Sequence, residues 1–147
     1  MKKQILYVDM DNVLVDFNSG IESLSPEDKI KYKGRYDECP DIFSLMVPLS
    51  GAVEAYEQLS KKYDTYILST SPWDNPSAGK DKLLWVKKYL GKAAYKRLIL
   101  SHHKNLNIGD YLIDDRTANG AGEFKGEHIH FKTDRFKDWK DVLNYLL

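Results

Sequence analysis

An unbroken apolar run that ends in two closely spaced acids constrains the fold more than any other part of the sequence. Residues Ile5 to Val8 are aliphatic or aromatic, which predicts a short buried strand. Asp9 follows where that strand should end, and Asp11 lies two residues further on. Ligands of open α/β sheets bind at the carboxyl ends of the strands, and neighbouring carboxylates repel each other unless a cation or proton separates them. The stretch therefore predicts a strand, an acidic loop with Asn12 in a left-handed turn, and then a helix.

The Asp-x-Asp spacing does not by itself establish chemistry, because most such pairs are solvated turn acids or helix caps. The apolar strand before the pair and the further acids after a later strand favour a functional role. We therefore treat both carboxylates as candidate site residues.

The composition limits the classes of function. The 147 residues fit one domain that can bury a core, and 22 basic against 22 acidic residues give zero net charge. A neutral chain argues against a general nucleic-acid or membrane-surface binder. Cys39 is the single cysteine, so no internal disulfide is expected. Without a recognisable signal peptide or an apolar run of membrane-spanning length, we expect a soluble cytoplasmic protein of unspecified oligomeric state.

Apolar runs and helical patterns alternate along the rest of the chain. Further strands are predicted at 64–68, 98–100, 111–113 and 128–131, and helices at 48–63, 80–90 and 138–147. The apolar residues of the helix at 80–90 are Leu83, Leu84, Val86 and Leu90. This alternation is typical of an α/β fold with a doubly wound parallel sheet.

The segment 18–42 interrupts this pattern, because it is irregular and charged. One short helix is predicted where Ser25 caps Pro26. We expect a small helical cap over the sheet edge, within a single domain of 1–147. The core would comprise about 1–17 and 43–147, and the reduced cap about 18–42.

Polar side chains follow four of the predicted strands. In chain order they are Asp9 and Asp11, Thr70 and Ser71, Lys104, and Asp114 and Asp115. Because the carboxyl ends of parallel strands meet at one edge, these groups are expected to share one crevice.

Such a set suits phosphoryl transfer. Mg²⁺ prefers one or two carboxylates together with substrate phosphate, and it offsets the repulsion between carboxylate and phosphate. A carboxylate can attack phosphorus to form an aspartyl-phosphate, while a lysine and a hydroxyl hold the other phosphate oxygens. A second carboxylic acid can protonate the leaving oxygen and then activate water.

The same residues resemble the four motifs of the haloacid dehalogenase-like (HAD) phosphatases. The motifs are Asp-Met-Asp-Asn-Val at 9–13, Thr-Ser-Pro at 70–72, Lys104, and Asp-Asp at 114–115. The match is closer to one branch, the 5′(3′)-deoxyribonucleotidases. That branch has similar sequences at 9–17 (Asp-Met-Asp-x-Val-Leu-x-Asp-Phe), 85–91 and 112–115. The resemblance covers roughly 1–17 and 43–131, and the occurrence of all four motifs in order makes it specific.

The resemblance implies a fold, a metal and a role for each acid. Asp9 would be the nucleophile and a Mg²⁺ ligand. Asp11 would be the general acid/base, and its backbone carbonyl would also bind the metal. Asp115 would be the direct acidic metal ligand after the fourth strand, with Asp114 beside it as support.

The resemblance also implies the residues that contact the substrate, a small phosphomonoester and in this branch a nucleotide. Thr70, Ser71 and Lys104 would hold the phosphate, and Phe17 corresponds to an aromatic residue near the substrate. Asn12 stands where family members often have Gly, and Asn can adopt the same backbone. The segment 18–42 is shorter than the cap of this branch, which carries much of the nucleoside recognition, so the chemistry is better founded than the substrate.

Several other residues invite a functional interpretation that the sequence does not favour. His102, His103, His128 and His130 lack the companions of a metal site and are interpreted as loop or structural residues. Trp85 and Trp139 lie on helical stripes and are predicted to be core. Trp73 follows the Thr-Ser-Pro motif, where packing is favoured over stacking on a base.

Three alternatives remain open. The motifs address the phosphate and not the leaving group, so the substrate could be another small phosphomonoester. A signalling receiver domain also has early acids and a late lysine, but Asp64 precedes its strand and so lies at the wrong edge. A binding relative without catalysis is the third alternative, although every motif residue is present.

Overall fold

The computed structural model describes residues 2–147 and has a five-stranded sheet at its centre. The strands are β1 (Ile5–Val8), β2 (Val15–Asp16), β3 (Val47–Pro48), β4 (Asp64–Ser69), β5 (Leu98–Leu100), β6 (Tyr111–Asp114) and β7 (Glu127–His130). The α-helices are α1 (Phe17–Glu22), α2 (Pro26–Lys31), α3 (Ala52–Lys62), α4 (Ser77–Tyr89) and α5 (Trp139–Leu146). Short 3₁₀ turns connect several of them.

The sheet is parallel throughout, with the strand order β5-β4-β1-β6-β7. The central strand β1 pairs Val8 with Ile67 of β4 on one side and with Ile113 of β6 on the other. The predicted α/β class and parallel sheet are therefore confirmed. All five carboxyl ends point to one edge, which positions the candidate residues there.

Alternating side chains of the strands pack into two separate clusters, as expected for successive residues of a strand. Leu6 and Val8 join the larger cluster, which contains the buried residues of α3, α4 and α5. Tyr7, Leu68 and Leu112 face a smaller cluster with residues from the connection between β6 and β7. Trp85 and Trp139 are buried in the larger cluster, as predicted.

Two short strands, which the sequence analysis did not predict, lie at the base of the inserted segment. Asp16 of β2 pairs with Val47 of β3 in antiparallel register. Pro48, predicted to begin a helix, belongs to β3, and α3 begins four residues later because Gly51 has the left-handed φ of 78°. The division into a core and a cap at 18–42 stays a prediction, and Met1 lies outside the described residues.

The buried face of α4 is not the one that carries its adjacent leucines. Leu83 and Leu84 are 43% and 52% exposed. Ala78, Trp85 and Val86 define the buried face instead, with Lys82 among them at helical spacing. Within 2–147, no helix combines the length and apolar character needed to cross a membrane.

Candidate active site

Asp9 lies directly after β1 in a loop that is held at both ends. Its backbone N–H donates to Ile113 O on β6 at 2.9 Å. Asn12 adopts the predicted left-handed conformation, with φ 63°, and the indole of Trp139 donates to Val13 O at 2.7 Å. The acidic loop is therefore anchored to the sheet and to α5.

Lys104 connects the two acidic loops. Its buried Nζ donates to Asp9 Oδ1 at 2.9 Å and to Asp114 Oδ2 at 2.6 Å. Its backbone N–H donates to Asn119 O at 2.7 Å. Burial acts to lower the pKa of Lys104, but the two carboxylates outweigh this effect and raise the pKa above its ordinary value.

Asp114 and Asp115 differ in how far their oxygens are already engaged. Asp114 accepts from Lys104 through Oδ2 and from the backbone N–H of Arg116 through Oδ1, at 3.0 Å. Asp115 Oδ1 is shielded from solvent and has no hydrogen-bond partner among residues 2–147. The rings of His128 and His130 donate through Nε2 to the backbone carbonyls of Asp114 and Asp115, at 3.1 and 3.0 Å.

The acidic residues fit a divalent cation. One carboxylate oxygen from each of Asp9, Asp114 and Asp115 lies within 4.8 Å of the other two, and a donor set of oxygens alone suits Mg²⁺. Burial raises the pKa of Asp9 to about 6, with Asp114 and Asp11 adding to the shift and Lys104 opposing it. Burial, and then the charge of Asp9, raise the pKa of Asp115 to about 6. At both residues, burial and the neighbouring acidic charge outweigh the positive charge nearby.

Asp11 has a partner that the sequence analysis missed. The Nζ atom of Lys82 donates to Asp11 Oδ2 at 3.1 Å, while Asp11 Oδ1 is shielded and has no partner among the described residues. A lysine within a helical pattern is normally exposed to solvent. Only the helical spacing of Lys82 from Ala78 and Trp85 indicated that its side chain could face the core.

The two candidate hydroxyls are not equivalent. Thr70 Oγ1 donates to Ser101 O at 2.7 Å, which engages its proton. Ser71 Oγ is buried and has no hydrogen-bond partner within the described chain. The uncommitted hydroxyl is thus that of Ser71.

A cavity of about 650 Å³ opens above these residues. Asp11, Thr70 and Asp115 line it together with three aromatic residues, Phe17, Tyr36 and Trp73. Trp73 is 85% exposed and meets the ring of His102 edge-on, with 5.8 Å between centroids. The expectation that Trp73 is packed was therefore wrong.

The architecture of the parallel sheet and its flanking helices is that of the HAD-like α/β fold. A Bacillus subtilis protein described as a "putative HAD-hydrolase" bound to magnesium has a TM-score of 0.70 at 11% identity, covering 99% of both chains. A haloacid dehalogenase-like hydrolase of Streptococcus pneumoniae gives 0.58 at 15% identity, covering 98% of this chain and 91% of the other. At these identities the likeness concerns the fold alone.

Sequence similarity gives the family. Residues 18–146 match the family described as 5′ nucleotidase, deoxy (Pyrimidine), cytosolic type C protein, and the chain belongs to it. A protein of Vibrio phage KVP40 named "Putative 5′(3′)-deoxyribonucleotidase" is 68% identical over 98% of this chain and 85% of its own length. The human 5′(3′)-deoxyribonucleotidase, cytosolic type, is 31% identical over 84% of this chain and 77% of its own. The chain is thus a phosphoric monoester hydrolase of the deoxyribonucleotidase type. This family membership argues against the alternative of a signalling receiver domain.

Proposed function

We propose that the protein hydrolyses the phosphomonoester of (deoxy)ribonucleoside monophosphates, with Mg²⁺ as cofactor and an aspartyl-phosphate as intermediate. The observation that carries the proposal is the buried cluster of Asp9, Lys104, Asp114 and Asp115 beneath a cavity of about 650 Å³. A cavity of this size falls in the range of small-molecule sites. Few structural roles require three acids and a lysine at the same sheet edge.

Asp9, the backbone carbonyl of Asp11 and Asp115 would hold Mg²⁺, with Asp114 in support. Four carboxylates, including that of Asp11, stand against the two ammonium groups of Lys82 and Lys104, which leaves a formal charge of −2. A bound divalent cation would balance this charge and offset the repulsion between Asp9 and the incoming phosphate. Because Oδ1 of Asp115 has no hydrogen-bond partner within residues 2–147, this residue would be a better direct ligand than Asp114.

Lys104, Ser71 and Thr70 would hold the phosphate. A lysine ammonium has three protons, and Lys104 uses two of them on Asp9 and Asp114. The third remains for a phosphate oxygen. Thr70 lines the cavity but must first release Ser101 O, whereas Ser71 Oγ has no partner among residues 2–147 and would donate once it is turned towards the cavity.

The reaction would proceed in two halves. An Asp9 carboxylate oxygen attacks phosphorus while the bond from phosphorus to the nucleoside oxygen breaks, and a protonated Asp11 gives its proton to that oxygen. In the second half Asp11, now a carboxylate, takes a proton from water. The water oxygen attacks phosphorus, the bond to Asp9 breaks, and inorganic phosphate is released.

Aromatic side chains around the cavity support a nucleotide as substrate. Phe17, Tyr36 and Trp73 present flat apolar surfaces to the same space, and aromatic rings stack on any nucleobase. The names of the phage and human relatives point to the same substrate class. The human name also supports a cytosolic location. Another small phosphomonoester, hydrolysed by the same chemistry, remains the alternative.

A phosphatase screen tests the proposal. Release of inorganic phosphate is measured with 5′- and 3′-nucleotides and with sugar phosphates, with Mg²⁺ and after exhaustive chelation. We expect nucleoside monophosphates to be preferred and activity to return when Mg²⁺ is restored. Full activity after chelation would remove the metal from the mechanism, and a preference for sugar phosphates would favour the alternative substrate.

A further inference from the structure

Lys82 is a completely buried lysine to which the proposed mechanism gives no task. Its Nζ atom lies 2.6 Å from Ser69 Oγ, 3.0 Å from Thr70 O and 3.1 Å from Asp11 Oδ2. Each of the three protons of the Lys82 ammonium group therefore has one protein acceptor. Since a buried charge is costly unless it is paired, the contact with Asp11 explains why a lysine is tolerated on the inner face of α4.

The surroundings of Lys82 fix the position of its ammonium group. Ser69 ends β4, and Thr70 follows it directly, so two of the three acceptors belong to the sheet. The Phe43 ring lies on another side, with its centroid 4.7 Å from Nζ, a cation–π distance. Asp11, by contrast, lies in a loop, and its side chain is 25% exposed. The position of Lys82 is therefore more strongly constrained than that of Asp11.

The contact also distinguishes the two oxygens of Asp11. Oδ2 is engaged by Lys82, and Oδ1 has no partner among residues 2–147. With one oxygen fixed, the carboxylate plane is fixed, and the other oxygen keeps a constant direction. Proton transfer depends on such alignment, and small misplacements of a reacting group are costly in rate.

We propose that Lys82 is a positioning residue, which holds the Asp11 carboxylate through Oδ2 and so fixes its direction for exchange of the proton with the leaving oxygen and then with water. This inference rests on the acid/base role proposed above for Asp11. Lys82 is not among the residues that line the cavity, and its three protons all have protein acceptors, so its removal should affect proton transfer and leave substrate binding nearly intact.

The first test replaces Lys82 by Met, which keeps the length of the chain and removes the ammonium group. For a deoxyribonucleoside monophosphate we expect kcat to fall about 10- to 100-fold and KM to change less than about 3-fold. Lys87→Met makes the same substitution at an exposed position of the same helix and should behave like wild type. Melting temperature and the stabilisation by Mg²⁺ report whether the fold and the acidic cluster are intact.

The second test varies the leaving group. p-Nitrophenyl phosphate needs little protonation of its leaving oxygen, so Lys82→Met should slow the pre-steady-state release of nitrophenol less than it slows release of a nucleoside. A general distortion of the site would slow both releases equally. Equal losses on the two substrates would therefore overturn the positioning role.

The third test is a double-mutant cycle. In an Asp11→Asn background, Lys82→Met should lower turnover by less than about 3-fold, because the residue through which it acts has been disabled. Losses that multiply in full would overturn the proposal. If Lys82→Met does not fold, Lys82→Gln takes its place, and failure of both would assign Lys82 to the fold alone. Inactivity of the wild type towards every phosphomonoester, or an active Asp9→Asn, would instead contradict the proposed function.

Discussion

Lys104 donates a 2.6 Å hydrogen bond to Asp114, and the two side chains are only 4% and 3% exposed. The pair joins the connection after β5 to the end of β6. The second oxygen of Asp114 accepts a hydrogen bond from the backbone N–H of Arg116. With both oxygens engaged, Asp114 supports the position of Lys104. Asp115, one residue later, has one oxygen without a hydrogen-bond partner in the described part of the chain.

This difference predicts an order of effects on metal binding. Asp115→Ala should weaken Mg²⁺ binding by more than about 100-fold, since it removes a direct ligand. Asp114→Ala should weaken it by about 10- to 100-fold, the usual effect of losing a supporting group. Calorimetric titration with Mg²⁺ measures both. The reverse order would show that the two acids exchange roles.

The position of Asp9 predicts the behaviour of a single amide substitution. Asp9→Asn should reduce turnover by about 10⁴-fold or more, because an amide is a poor nucleophile and removes a charged metal contact. Steady-state phosphate release measures the loss, and mass spectrometry excludes deamidation back to Asp. Asp134→Asn, at an exposed turn, is the matched control. Near-normal activity in a verified Asp9→Asn preparation would rule out the covalent mechanism.

The raised pKa values of Asp9 and Asp115, both about 6 against an ordinary 3.8, predict how pH affects the metal-free protein. At pH values between 3.8 and about 6, the folded state binds more protons than the unfolded state. The stabilisation due to the protonated acids is complete below about 3.8 and is lost as pH rises through 6.

Mg²⁺ requires ionised carboxylates, so its stabilising effect should grow over the same interval. The increase in melting temperature on adding Mg²⁺ should be small at pH 5 and large at pH 7.5. Asp115→Asn should reduce this difference. An equal increase at both pH values in the wild type would contradict the assigned pKa shifts.

The strands at the candidate site could be predicted because their signal is local. Ile5 to Val8 is an unbroken apolar run, and the acids after it stand where a strand must end. Parallel pairing then brings the later motifs to the same edge without further information. The β2–β3 pair gave no such signal, because Asp16 and Val47 are separated by the whole inserted segment and each strand has two residues.

The role of Lys82 could not be predicted for a different reason. The buried face of a helix is predicted from the positions of its hydrophobic residues. By that criterion Leu83 and Leu84 are more obvious candidates for burial than a lysine. The true buried face is set by tertiary contacts, with Trp85 donating to Met46 O and Lys82 reaching Asp11. The burial of Lys82 is explained only by the tertiary structure, in which Asp11, 71 residues earlier in the chain, lies beside it.

The exposure of Trp73 predicts a contribution to nucleoside binding. Base–aromatic stacking contributes roughly 1–3 kcal/mol, so Trp73→Ala should lower kcat/KM for a deoxyribonucleoside monophosphate by about 5- to 100-fold. Glycerol 2-phosphate, which has no base, should be unaffected. Tyr95→Ala is the control, because Tyr95 is 70% exposed before β5 and so at the opposite edge of the sheet. Equal losses on both substrates would argue against stacking.

Asp11→Asn separates the two halves of the proposed reaction. The amide keeps the backbone carbonyl, so Mg²⁺ should still bind, while turnover of nucleotides should fall by about 10²- to 10⁴-fold, the usual contribution of general acid/base catalysis. With p-nitrophenyl phosphate the first half needs little protonation and should remain comparatively fast. The second half still needs a base for water, so phosphorylated Asp9 should accumulate after a burst of nitrophenol. Rapid-quench analysis measures both the burst and the phosphoenzyme. Their absence at unchanged Mg²⁺ affinity would show that the proton is moved by a group other than Asp11.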